Sequence, residues 1–152
     1  MTTPTGVSAR ATRYLLDTSV WARLASRAVA EQVAALQSRG QVVVATPVAL
    51  ELGYSARTPA EWDDVQGALA TFPVLEPTGA THRTALGLQR ALWAAGKVRA
   101  AGAFDTLVAA LAVEHRAVVV HYDRDYEHLA SVEPRLAHAW VAPPGSLDRR
   151  DL

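Results

Sequence analysis

The 152-residue sequence contains no cysteine. This absence excludes a disulfide scaffold, a thiolate zinc site, an iron–sulfur cluster and a cysteine nucleophile, and it fits a cytoplasmic location. Long apolar runs are absent as well. The longest, Leu107 to Val113, is far shorter than the ~20 residues that a membrane-spanning helix needs, so we expect no membrane segment.

The sequence also lacks an excess of charge of either sign. Fifteen basic residues balance fifteen acidic ones, so the net charge indicates neither a nucleic-acid nor a membrane partner. Lysine is scarce, because Lys97 is accompanied by fourteen arginines. Half of the residues are hydrophobic, which excludes an intrinsically disordered chain. A chain of this length favours one domain that folds without a disulfide or a structural metal.

The domain organisation follows from the composition along the chain. No repeat of 20–50 residues and no internal linker is present. Residues 1–12 are rich in Thr and lack acids and an apolar signal segment, so they predict a disordered lead-in. A Pro-Pro-Gly run at 143–145 interrupts regular structure, and we expect a C-terminal tail over 143–152. The domain is therefore expected at 13–142.

Three apolar runs without polar alternation predict buried strands of a parallel sheet. These runs lie at 13–17, 41–45 and 117–121, and weaker strand candidates lie at 73–75 and 138–141.

Helical patterns separate the strands. The predicted helices are Thr18 to Arg39 with a break near Ser26, a helix with Thr46 as N-cap and Pro47 as its first residue, a helix opened by a Thr58–Glu61 capping box, a long helix after Thr78, and Phe104 to His115. Strands that alternate with helices indicate an α/β fold with a central, mainly parallel sheet flanked by helices.

Four acidic residues fall at positions that matter in such a fold. Asp17 follows the first strand directly, and Asp123 lies two residues after the third. Sites in open parallel sheets form beyond the carboxyl ends of the strands, so both acids are expected at that edge. Asp105 and Glu51 lie near the starts of two helices, within apolar sequence where an unpaired buried carboxylate is costly.

Acids that converge on one edge repel each other and raise the pKa of at least one carboxyl group. A hard divalent cation relieves this repulsion, and carboxylate oxygens are the ligands that Mg²⁺ or Mn²⁺ prefers. Such an ion lowers the pKa of a water molecule and stabilises a leaving oxygen. The pattern therefore predicts metal-dependent hydrolysis of phosphodiester bonds.

Four segments that contain these acids resemble the ordered acidic motifs of PIN-domain nucleases, and more narrowly the VapC toxins of bacterial VapBC toxin–antitoxin modules. The segments are 15–21 (LLDTSVW), 46–52 (TPVALEL), 102–110 (GAFDTLVAA) and 120–126 (VHYDRDY). The resemblance covers roughly Tyr14 to Tyr126. It implies a PIN-like three-layer sandwich and a Mg²⁺- or Mn²⁺-dependent ribonuclease that cuts structured RNA such as transfer or ribosomal RNA. It also implies a VapB-like antitoxin that occludes the site, and a homodimer or a toxin–antitoxin hetero-oligomer.

The resemblance carries over to individual acids. Asp17, Glu51, Asp105 and Asp123 match the catalytic quartet of the family, and Asp17 and Asp105 match the usual metal-ligand pair. Asp125 matches a further acid that some members contain.

Other residues are additional candidates. Thr18 or Ser19 could hydrogen-bond a ligand water, and Arg99 and Arg23 are candidate phosphate clamps, with an ordinary solvent-exposed arginine as the alternative in each case. We interpret His121 as structural. The four tryptophans are interpreted as core or interface anchors rather than platforms for base stacking.

Three alternative functions remain open. A phosphoacceptor signalling domain also gathers acids at strand ends but needs a lysine at a later strand end, whereas Lys97 lies near a helix end. An aspartyl phosphatase needs a second Asp where Ser19 stands. A non-catalytic PIN-like RNA-binding module would not need all four acids.

Overall fold

The computed structural model describes residues 10–148, which form four strands and seven helices. In chain order these elements are β1 (Thr12–Leu16), α1 (Thr18–Trp21), α2 (Arg27–Arg39), β2 (Gly40–Val43), α3 (Thr46–Tyr54), α4 (Pro59–Leu69), α5 (Gly79–Ala94), α6 (Ala103–His115), β3 (Val118–His121), α7 (Asp125–Val132) and β4 (Ala137–Trp140).

The four strands form one sheet in the order β2-β1-β3-β4, and every pairing is parallel. Leu15 of β1 lies opposite Val43 of β2 on one side and Val119 of β3 on the other. Parallel neighbours require crossover connections, and helices supply them here. All four strands therefore end at the same edge of the sheet.

Neighbouring residues of β1, β2 and β3 pack into opposite cores. On one face Leu15, Val43 and Val119 pack with residues of α3, α5, α6 and α7. On the other face Leu16, Val42 and Val120 pack with residues of α1 and α2. Burial on both faces explains why the strands read as continuous apolar runs. The predicted α/β class, a parallel sheet between two helical layers, is confirmed.

The helix starts differ in detail from the sequence expectations. The break near Ser26 is confirmed, because Ser26 is the N-cap of α2. The N-cap of α3 is Ala45 rather than Thr46, so the prediction that Thr46 caps this helix is wrong. The reason lies in the sheet: the backbone of Val44 still pairs with residues 73–75. The chain therefore leaves the extended conformation at Ala45, and Thr46 is already helical.

The predicted Thr58–Glu61 capping box forms only in part. Thr58 Oγ1 accepts a hydrogen bond from Glu61 N at 3.1 Å, but the Glu61 carboxylate accepts from Arg57 N rather than from Thr58 N. The ion pair between Arg57 and Glu61 draws the carboxylate to that position. A reciprocal box occurs instead at Thr78 and Thr81, where the sequence analysis did not predict one.

Two elements depart further from the sequence expectations. Helix α7 was not predicted, because only Tyr126 and Leu129 of its residues are buried and two apolar positions give little periodicity. The weak strand candidate at 73–75 contributes a single parallel bridge, between Val74 and Val44.

The structure describes only part of the predicted lead-in and part of the predicted tail. Residues 1–9 of the predicted lead-in lie outside them, and Thr12 pairs with Gly40 at the start of β1. Residues 149–152 of the predicted tail also lie outside them. Within the tail, Leu147 packs against the core that contains Leu16. Over residues 10–148, the helices are all too short or too polar to cross a membrane.

Gly40 is required by the close approach of β2 to β1. A Cβ atom at this position would lie 2.2 Å from Thr12 O and 2.9 Å from the Tyr14 ring. We expect Gly40→Ala to lower the free energy of unfolding by about 1–3 kcal/mol, as overpacking does. Gly67→Ala is the matched control, since its Cβ would meet no atom within 4 Å. It should stabilise α4 by about 0.5–1 kcal/mol. Urea unfolding followed by circular dichroism measures both, and equal effects would contradict this interpretation of Gly40.

Candidate active site

The carboxyl edge of the sheet brings the predicted aspartates together. Asp17 directly follows β1, and its N–H donates to Val120 O of β3 at 2.9 Å. Asp123 lies in the loop after β3, Asp125 begins α7, and Asp105 lies in the first turn of α6. The ends of two strands and the starts of two helices therefore hold four acids at one place.

Asp17 is held in a fixed orientation. Its carboxylate is buried, with 4% of the residue exposed. Oδ2 accepts hydrogen bonds from Ser19 N at 3.0 Å and from Ser19 Oγ at 2.5 Å. Oδ1 accepts from the Tyr126 hydroxyl at 2.7 Å. Three donors satisfy a charge that would be expensive to bury alone.

Tyr126 joins the two acids that the sequence resemblance pairs as metal ligands. Its hydroxyl oxygen lies 2.7 Å from Asp17 Oδ1 and 3.4 Å from Asp105 Oδ1. The ring is fully buried, and burial together with the charges of Asp17 and Asp105 raises the pKa of the phenol well above its usual value. The phenol therefore stays protonated and donates. No role for Tyr126 was predicted from the sequence, where its only signal was a hydroxyl one position after Asp125.

Three carboxyl groups form a close cluster that does not include Asp17. One oxygen each from Asp105, Asp123 and Asp125 lies within 4.8 Å of the others. Asp125 is itself positioned by backbone N–H donors, since Gly102 N donates to its Oδ2 at 3.2 Å. Asp125 N donates in turn to Asp123 Oδ1 at 3.0 Å. These bonds fix the start of α7 against the start of α6.

This crowding of acids changes their protonation. Burial, a hydrogen bond with Asp125 and the charges of Asp17 and Asp123 raise the pKa of Asp105 to about 8. Burial, followed by the nearby carboxylates, also raises the pKa of Asp123. Among residues 10–148 the ion pairs lie elsewhere, so no Lys or Arg neutralises these acids. A cluster of hard oxygen donors with uncompensated negative charge fits a divalent metal ion.

Glu51 lies beside this cluster but outside its closest group. It lines a cavity of about 260 Å³ together with Asp105, Phe104 and the start of α6. The half-buried Glu51 and Asp105 thus line the same cavity, which leaves Glu51 accessible to a ligand.

The additional candidates take different positions. The Ser19 hydroxyl donates its proton to Asp17 and accepts from Tyr122 N at 2.9 Å, so it supports Asp17. Thr18 Oγ1 is buried and has no hydrogen-bond partner among the described residues. Arg99 is exposed in the turn before α6, with a φ of 61°.

His121 is fully buried beneath the cluster and packs on the Tyr126 ring at 4.8 Å. Its Nδ1 accepts from Asp123 N, and its Nε2 lies 2.8 Å from His138 Nδ1. An accepting Nδ1 places the proton of the neutral ring on Nε2. Burial, followed by the His138 charge, lowers the pKa of His121 to about 4. His121 is therefore a neutral structural group, in agreement with the sequence interpretation.

Comparison with known proteins agrees with this geometry. The PIN domain family profile matches residues 14–132. Ribonuclease VapC51 of Mycobacterium tuberculosis is 43% identical over 138 residues, which cover 91% of this chain and 99% of that protein.

Solved structures share the fold. The VapBC2 structure from Rickettsia felis, bound to a DNA fragment from their promoter, matches with a TM-score of 0.71 at 15% identity, over 85% of this chain and 98% of that one. VapBC-5 from Mycobacterium tuberculosis, a member of the VapBC family of toxin–antitoxin systems, matches with a TM-score of 0.58 at 19% identity, over 85% and 97% of the two chains. The chain belongs to the PIN domain family, and within it to the VapC group.

Proposed function

We propose that this protein is a metal-dependent endoribonuclease, the toxin of a type II toxin–antitoxin module, which hydrolyses RNA phosphodiester bonds with Mg²⁺ or Mn²⁺. The observation that carries the proposal is the cluster of uncompensated carboxyl groups at the carboxyl edge of the sheet. The ribonuclease named among its relatives supports RNA as the substrate. An enzyme that cuts transfer or ribosomal RNA acts in the cytoplasm, and we propose that location.

We propose that Asp17, Glu51, Asp105 and Asp123 are the catalytic residues and that Asp17 and Asp105 bind the metal. A divalent ion bound there supplies positive charge to the phosphate and lowers the pKa of a water molecule. The donors on Asp17 keep its carboxylate oriented. Glu51 lines the adjoining cavity, and we propose that its carboxylate accepts a proton from the attacking water.

The additional candidates have supporting roles in this proposal. Asp125 holds the two helix starts together through its bonds to Gly102 and Asp123. Ser19 keeps one acceptor lone pair for a water molecule, while Thr18 has a buried hydroxyl without a partner among the described residues. Arg99 is exposed before α6, and we propose that it binds a phosphate group. The domain that carries these residues is proposed at 13–142.

We further propose a VapB-like antitoxin as partner, in a homodimer or a toxin–antitoxin hetero-oligomer. The structural neighbours include VapBC assemblies, which supports such a partner. The phosphoacceptor alternative gains no support, because Lys97 Nζ donates to Ser131 Oγ at 2.5 Å instead of reaching the acids.

Asp105→Asn should lower the rate of RNA cleavage at least about hundredfold, because it removes a ligand charge without changing the volume. The measurement is cleavage of total transfer RNA by purified protein freed of its antitoxin, with Mg²⁺ or Mn²⁺. Asp63→Asn, on the exposed face of α4, is the matched control and should retain full activity. Cleavage at an unchanged rate in EDTA would contradict the metal-dependent mechanism.

The same substitution should stabilise the metal-free protein. The raised pKa of Asp105, about 8 against a usual 3.8, means that the folded state holds a proton that the unfolded state has lost. Asp105 therefore lowers stability increasingly as pH rises from about 4 to about 8. We expect the melting temperature of Asp105→Asn, relative to wild type, to increase across this window in EDTA. A difference that is independent of pH, as expected for Asp63→Asn, would contradict this.

Tyr126→Phe should weaken the metal-free protein, because it removes a donor from the buried Asp17 carboxylate. A hydrogen bond to a charged group contributes about 1.5–3 kcal/mol, and we expect a loss of that size in urea unfolding. Tyr54→Phe is the control, since Tyr54 is 93% exposed. If the two variants unfold alike, Tyr126 does not hold the acidic cluster.

A further inference from the structure

A second cavity opens directly beside the acidic cluster. It has a volume of about 350 Å³ and lies between the end of α1, the loop after β3, the end of β4 and the start of the C-terminal segment. Its lining consists of Arg23, Tyr122, Asp123, Arg124, Trp140 and residues within 144–148. Because Asp123 belongs to both, a molecule in this cavity would lie next to the proposed catalytic acids.

Arg23 presents a positioned cation to this cavity. Its Nη1 donates to Ser19 O at 2.9 Å, and its guanidinium carbon lies 4.7 Å from the centre of the Tyr122 ring. Its side chain forms no ion pair with a carboxylate among residues 10–148. A half-buried guanidinium held by a carbonyl and an aromatic face keeps most of its N–H donors for an anion. Arg124 adds a second, exposed cation to the lining of this cavity.

The aromatic side of the cavity is equally fixed. Trp140 contacts Tyr122 edge to face, with ring centres 5.5 Å apart and an interplanar angle of 89°. The Trp140 indole N–H donates to Glu127 Oε1 at 3.0 Å. These contacts hold the half-buried indole at the cavity, whereas the sequence predicted a core or interface anchor for this tryptophan. An aromatic ring beside arginines is a platform on which nucleic-acid bases stack.

The C-terminal segment forms the remaining wall. It turns sharply at Gly145, where φ is 79°, and Ser146 N donates to Pro143 O at 3.0 Å. Leu147 N donates to the Tyr122 hydroxyl at 3.0 Å. The segment is thus anchored to the same tyrosine that supports Arg23, which gives part of the predicted tail a place in the site.

We propose that this cavity binds a nucleotide of the RNA strand adjacent to the bond that is cut, with Arg23 and Arg124 on phosphate and Trp140 against a base. The proposal rests on the ribonuclease function proposed above. Guanidinium groups without a carboxylate partner among residues 10–148, an aromatic wall and a proposed catalytic acid in the lining favour RNA over an acidic protein segment, which would use the cations alone. The exposed Asp148 carboxylate also lines the cavity and opposes the binding of phosphate.

The test measures RNA affinity in the Asp105→Asn background, where the RNA stays intact. The probe is a fluorescein-labelled single-stranded RNA of 12 nucleotides, followed by anisotropy over a range of salt concentrations. Arg23→Gln/Arg124→Gln should raise the dissociation constant about tenfold or more. It should also reduce the slope of log K against log salt by about 1.4, for two phosphate contacts to a single strand. Arg83→Gln/Arg90→Gln, two exposed arginines of α5, removes the same charge and should change affinity less than about twofold.

Asp148→Asn tests the same cavity by removing a negative charge, which should increase the affinity for RNA. Asp148 is exposed, so we expect this substitution to leave the fold unchanged. It should tighten RNA binding about two- to fivefold, the range of an exposed charge interaction. Equal losses of RNA affinity in the Arg23/Arg124 and Arg83/Arg90 double variants would overturn the nucleotide site. So would an RNA affinity that changes neither in Asp148→Asn nor in the Arg23/Arg124 double variant.

Two further results separate this proposal from its alternatives. If the Arg23/Arg124 double variant keeps its RNA affinity but no longer co-purifies with a co-expressed antitoxin, the cavity binds the antitoxin and the proposal fails. If wild-type protein cleaves RNA with Mg²⁺ or Mn²⁺ while the Arg23/Arg124 double variant binds RNA as tightly as its parent, the proposal of a nucleotide site is wrong. The proposed ribonuclease function is then still supported. If wild-type protein cleaves no RNA with either ion, the proposed function itself fails.

Discussion

The repulsion between carboxyl groups at one edge of the sheet governs the chemistry of this molecule. Asp105, Asp123 and Asp125 lie within a few ångströms of each other, and each is partly withdrawn from water. The protein tolerates this by holding a proton on Asp105 and by aiming the Tyr126 hydroxyl at the neighbouring Asp17. The proton and the hydrogen bond offset less of this repulsion than a divalent cation would. The folded protein therefore favours the binding of such an ion.

The rest of the fold fixes the positions that create this repulsion. Parallel strands must all end at one edge, and residues such as Leu15 and Leu16 lock β1 into a core on each face of the sheet. Beneath the acids, His121 is neutral and buried and positions the loop of Asp123 through that residue's N–H. A hydrophobic core thus supports the cluster of acids, and Arg23 lies beside these acids rather than among them.

The fold class and the proximity of the aspartates could be predicted from the sequence, because the carboxyl ends of parallel strands all lie at one edge of the sheet. Tyr126 could not be predicted in the same way. Its hydroxyl reaches Asp17 only because α7 folds back across the sheet edge, and α7 has too few apolar residues to show a helical period. Thr46 shows the opposite failure, since its local signal for a helix cap was overridden by the tertiary pairing of Val44. The place of Leu147 against the core likewise depends on contacts distant in sequence.

The most direct measurement is anomalous X-ray diffraction from crystals soaked in Mn²⁺ at a pH above the raised pKa of Asp105. We expect one strong manganese peak within coordination distance of oxygens of Asp17 and Asp105, with the Tyr126 hydroxyl still on Asp17. A manganese peak elsewhere, or none with the acids unchanged, would contradict the view that this edge of the sheet is built around a metal ion.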